Sequence, residues 1–70
     1  MYKAGQYVIT STTGDSIWHT TKAKTLRGAK IAASRMYQES HDGRIEVGLA
    51  RDEYSIDTIA AKRGYGKWTD

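Results

Sequence analysis

Residues 25 to 38 read TLRGAKIAASRMYQ. Wound at about 100° per residue, Leu26, Ala29, Ala32, Ala33, Met36 and Tyr37 gather on one side, the pattern of a helix lying on a core. Ile31 alone breaks it, falling on the opposite side between Arg27 and Arg35. Thr25 stands where its hydroxyl can accept from the free amides of the first turn and cap the helix. Gly28, inside the helix, costs roughly 1 kcal/mol relative to alanine, which the neighbouring alanines offset.

Elsewhere the period falls to two. QYVITST (6–12) places Tyr7 and Ile9 on one face and Val8 and Thr10 on the other, and TTGDS supplies the residues of a turn. A return strand follows in SIWHTTKA (16–23), with Ile17, His19 and Thr21 alternating against Trp18, Thr20 and Lys22. After the turn SHDG, RIEVGLA (44–50) is the clearest strand, with Ile45, Val47 and Leu49 inward and Arg44, Glu46 and Gly48 outward. RDEY reads as a turn. In YSIDTIAAK, Tyr54, Ile56 and Thr58 alternate until Ile59 and Ala60 break the rhythm. A strand is preferred there, the alternative being a short helix from Ser55 that stops at Gly64. KRGYGKWTD offers a glycine-rich turn and a short terminal strand carrying Trp68.

These elements predict a single α+β domain spanning residues 1–70. One helix packs on one face of a four- to five-stranded antiparallel sheet in the order β-β-α-β-β-(β). The alanines allow close approach of helix to sheet, while Leu26, Met36 and Tyr37 fill the ends. The opposite sheet face is expected to be largely open to water, with Trp18, and by the same reading Trp68, among its residues.

Seventy residues bury only about 60% of the surface of the unfolded chain, so the core is small and leaves little room for a catalytic cleft. The chain has no cysteine, which excludes disulfides and thiolate metal sites and fits a reducing cytoplasm. Its N-terminus lacks the apolar run of a signal peptide or membrane span. The expected location is therefore the cytoplasm, with no membrane partner. Residues 40–59 carry Arg44 and Arg51 against Asp42, Glu46, Asp52, Glu53 and Asp57. That is a balance of −3 within a total of +3, so the other residues hold +6. A surface divided in this way suits an acidic partner, whether nucleic acid or a protein patch.

No catalytic constellation is apparent, and an enzyme is not expected. His19 and His41 are the only histidines and lie far apart in the chain. No short-range ligand pattern suggests a metal, and no cofactor is implied. Asp52 and Glu53 read as a charged turn rather than as acid and base. GYG is too short for a phosphate-binding fingerprint and no helix follows it. Binding residues are better represented. Arg27, Ile31, Arg35 and Gln38, with Lys30 at the margin, combine cations, an amide and an apolar contact on the outer helix face. Lys62, Arg63 and Lys67 form a second basic group beside Tyr65 and Trp68, a composition that also suits a small DNA- or RNA-binding module.

TLRGAKIAAS followed by Arg35, RIE at 44–46 and the terminal AAKRGYGKWTD resemble a small phage-encoded anti-CRISPR protein that inhibits the type I-F surveillance complex. The likeness runs from about residue 23 onward. It implies a non-enzymatic inhibitor in the host bacterial cytoplasm, a monomer or weak dimer. Its partners would be the backbone subunits that hold the guide RNA, and its effect to occupy the path of the target DNA. It also places Lys30 and Arg35 on the contact helix and Lys62 in the matching C-terminal stretch. Arg27, Gly28 and Ile31 depart from the polar or basic residues of the family, and the segment from Val47 to Ala60 is longer. On this reading Ile31 supplies the desolvated centre of the contact, and Gly28 admits close approach of the partner to the helix backbone.

Overall fold

The computed structural model describes residues 2–11, 17–37 and 43–70. The turns read at 12–16 and 40–42, together with Gln38 and His41, lie outside them. Strand β1 (Tyr7–Ser11), β2 (His19–Thr20), α1 (Leu26–Met36), β3 (Arg44–Ala50) and β4 (Ile56–Arg63) follow in sequence. The strands form a four-stranded antiparallel sheet in the order β2-β1-β3-β4, with the helix against one face. The α+β class therefore matches the sequence pattern, the order differs in lacking a fifth, terminal strand, and 56–63 is a strand rather than the alternative helix.

The helix starts where its cap is. Thr25 is extended (φ −135°, ψ 158°), and its Oγ1 accepts from the Gly28 N–H at 3.1 Å. The helix ends as Tyr37 becomes extended, its N–H still bonded to the Ala33 carbonyl at 2.9 Å. Ala29 and Ala33, both fully buried, lie on Ile9, Ile45, Val47 and Ala60, with Leu26, Tyr37 and Tyr7 at the margins. Small side chains at the contact bring the helix backbone close to the sheet, and the apolar area removed from water there is the main stabilising contribution. Met36, expected to fill the helix end, is instead half exposed.

The strand read at 16–23 shrinks to His19–Thr20, with Thr21 at its end. Its N–H and hydroxyl both donate to the Tyr7 carbonyl, and its Oγ1 accepts from the Ala23 N–H as the chain turns toward the helix. The terminal strand reduces to one bridge, in which Thr69 and Ala61 exchange N–H···O bonds of 2.8 and 2.9 Å. Nor is the outer sheet face open to water. The Trp18 ring lies over Gly48 with Ile56 beside it, and Val8, paired directly with Gly48, has no exposure. Thr10 and Ala50 are buried as well.

The broken rhythm at Ile59 and Ala60 is a β-bulge. Gly48 pairs with Thr58 and Val47 with Ala60, so Ile59 is an extra residue opposite the Val47/Gly48 step. Ile59 and Ala60 both serve the helix-side core. At the near end of this hairpin, Arg51 N–H bonds the Ser55 carbonyl at 2.9 Å, and the Asp52 carboxylate accepts from the Tyr54 and Ser55 amides at 2.8 and 2.9 Å. RDEY is thus a turn closed by its own aspartate. At the far end Gly64 takes the left-handed conformation (φ 58°) and donates to the Gly43 carbonyl.

Candidate functional site

A single row of side chains runs along the outward face of α1. Arg27, Ile31 and Arg35 are spaced four residues apart, so the helical repeat stacks them on consecutive turns, about 6 Å apart along the axis. All three are exposed, Ile31 at 46%. Its two flanking alanines, Ala29 and Ala33, face the sheet. The odd isoleucine of the sequence pattern is thus on the surface between two arginines.

The row forms one wall of an open groove of 370 Å³ that also includes Lys30, Ser34 and Trp68. Trp68 arrives from the opposite end of the chain. Because Thr69 pairs with Ala61 on the outer face, its neighbours Trp68 and Asp70 point to the helix side. Trp68 packs against the helix-side core, which corrects its expected place on the outer sheet face. Asp70 meets Lys30, whose Nζ lies 2.7 Å from both carboxylate oxygens and 5.8 Å from the centroid of the Trp68 ring. A half-shielded ion pair and a cation–π contact therefore hold the tail on the helix.

Electrostatically the two arginines stand apart from their neighbours. Arg44 lies 3.7 Å from Glu46 and Arg51 3.3 Å from Asp57, while Lys30 is engaged by Asp70. Among the described residues, no carboxylate lies within ion-pair distance of Arg27 or Arg35. Arg27 is also in the first helical turn, which contains no acidic residue. The helix macrodipole is positive there, so this cation adds to an existing positive potential instead of balancing it.

The residues read together from the sequence divide in space. Arg27, Lys30, Ile31 and Arg35 meet in the groove, with Lys30 serving as an internal clamp. Gln38 is outside the described residues. Lys62 and Arg63 fall on opposite faces of β4, since Lys62 pairs with Ile45 of the helix-side core and Arg63 with Arg44. Lys67 is exposed beyond the glycine turn, and none of these three lines the groove. Sequence reading missed Ser34 and the helix-side position of Trp68. The latter depends on the bulge and on the single Thr69 bridge, neither of which leaves a periodic signal.

Gly28 also has a different reason from the one expected. A Cβ there would lie 3.2 Å from Thr25 Oγ1 and 3.4 Å from Ala23 Cβ, so the glycine faces its own N-cap and not an incoming partner. His19 sits on the edge strand β2. Among the described residues, no group of three His, Asp or Glu could hold a metal ion, and no helix is long and apolar enough to cross a membrane. No family model matches the chain, and no curated protein or solved structure matches it either.

Proposed function

We propose that this chain is a non-enzymatic inhibitor that binds a CRISPR-Cas surveillance complex through the outer face of α1, and so denies target DNA access to the guide RNA. The reading rests on one observation: Ile31 is half exposed in a groove, between two arginines that have no partner among the described residues. An apolar centre with a cationic rim is the composition of a protein-contact surface. Phosphates call for cations in a continuous track, and the basic residues of the C-terminal segment are divided between faces instead of extending the groove. The resemblance of TLRGAKIAAS, RIE and AAKRGYGKWTD to the type I-F inhibitors supports the choice of complex.

The test uses purified type I-F surveillance complex and labelled target DNA. The wild-type chain is expected to be retained by the complex and to lower its DNA binding, and Ile31→Asp to do neither. Unchanged DNA binding in the presence of the wild-type chain would reject the proposal. A shift of bare duplex DNA by the chain at physiological salt, falling steeply as salt rises, would favour the nucleic-acid-binding module instead.

A further inference from the structure

We infer that the groove takes an extended acidic segment of the partner, in which an apolar side chain is flanked two residues away on each side by carboxylates. This inference rests on the proposed function, and it identifies the chemistry that the same surface recognises.

The helix row and an extended strand have matching repeats. Arg27, Ile31 and Arg35 rise by about 6 Å per step along the helix. In an extended strand, residues i, i+2 and i+4 share one face and rise by about 6.6 Å per step. A segment of the form acidic, any, apolar, any, acidic can therefore set its central side chain on Ile31 while both carboxylates reach arginines. In the commonest helix packing, at about −50°, a partner helix leaves the row after about one turn, whereas a strand laid along it keeps all three contacts.

Charge selects the same chemistry. Arg27 and Arg35 are exposed and have no partner among the described residues, whereas Lys30 between them in sequence is occupied by Asp70. The groove thus offers two available cations at its ends and an apolar middle, with the Trp68 ring as the far wall. A guanidinium accepts a carboxylate in a two-bond fork, so each end is suited to aspartate or glutamate. Asp70, already bound to Lys30, shows this face of the helix engaging a carboxylate within the chain itself.

The probe is a capped peptide with a central leucine and glutamates at the two flanking positions, titrated into the intact chain while the Trp68 indole and Ile31 methyl signals are followed by NMR. Both signals are expected to shift and saturate. Arg27→Glu and Arg35→Glu are each expected to weaken binding about threefold to fivefold. Lys67→Glu, which makes the same charge change outside the groove, should leave binding unaltered.

Equal shifts from a peptide with lysines in place of the glutamates would overturn the inference. So would equal weakening by Lys67→Glu, which would indicate unspecific attraction. If the peptide fails while the surveillance complex is still retained, this inference falls and the proposed function stands. If the peptide binds and the complex is not retained, the proposed function falls and the recognition chemistry stands.

Discussion

Lys30 on the helix and Asp70 beyond the last strand are 40 residues apart in sequence, yet they form a two-oxygen ion pair at 2.7 Å. The pair fastens the tail over the groove and holds the Trp68 ring against the core margin. Asp70→Ala is expected to cost about 0.2–1 kcal/mol, the range of a partly exposed pair. The informative readout is Trp68. Its indole N–H should exchange faster with solvent in the variant, while the Trp18 indole on the opposite sheet face stays unchanged. Equal exchange at both would show that the pair does not restrain the tail.

Gly48 is expected to be intolerant of any side chain. A Cβ there would overlap Ile56 Cγ2 and come within 3.0 Å of the Trp18 ring. Gly48→Ala should therefore destabilise by about 1–3 kcal/mol, the usual range for overpacking. Combining it with Ile56→Ala should make the added loss from the glycine substitution smaller than in the wild type, as a double-mutant cycle in urea would measure.

The N-cap offers a contrast between two neighbouring positions. Thr25→Ala should cost about 1 kcal/mol by leaving the Gly28 amide without its acceptor. Gly28→Ala gains about 1 kcal/mol of helix propensity, opposed by the 3.2 Å approach to Thr25 Oγ1. A net change well under 1 kcal/mol is expected from these opposed terms. Thermal unfolding of both variants checks the pair, and a large loss in Gly28→Ala would mean that the cap cannot yield.

Arg27→Glu should separate stability from binding. An acidic residue in the first turn complements the helix dipole and is expected to add about 0.3–1 kcal/mol. The same change removes one cation from the groove. A variant that is more stable and binds less would identify Arg27 as a residue kept at the expense of the fold, whereas a loss of both would indicate an unrecognised structural contact.

Asp52 provides the pH dependence. Its carboxyl is held below the usual 3.8, first by the Tyr54 amide and then by the Ser55 amide, both donating to the charged form. Since the folded pKa is depressed, the turn is supported fully above pH 3.8 and loses that support as pH falls through the lower folded value. The protection factors of the Tyr54 and Ser55 amides, taken against the intrinsic exchange rate at each pH, should therefore fall as Asp52 is protonated, and Asp52→Ala should show the lower protection already at neutral pH. Unchanged protection factors in acid would mean that other bonds carry the turn.

The parts of this molecule that the sequence made readable are those governed by one repeat. The 3.6-residue period set Ala29 and Ala33 against the sheet and Ile31 away from it, and strict alternation located β3. Where the repeat was interrupted, the reading weakened. Ile59 and Ala60 looked like noise in a strand because a bulge keeps both on the core side. The burial of the outer sheet face escaped because Trp18 covers Gly48 through a close approach that alternation does not encode. The Lys30–Asp70 pair escaped because it joins distant segments of the chain. The groove was accordingly half visible: its arginine row was evident, and its tryptophan wall was not.

The inserted Ile59 also exchanges the parity of the chain. Before it, the even-numbered Ile56 and Thr58 belong to the outer side; after it, the even-numbered Ala60 and Lys62 belong to the helix side. Ala61 is thereby turned outward, Thr69 follows its pairing partner, and Trp68 and Asp70 are carried inward to Lys30. The address of the groove's aromatic wall is written nine positions upstream of the tryptophan, in a residue that does not itself line the groove.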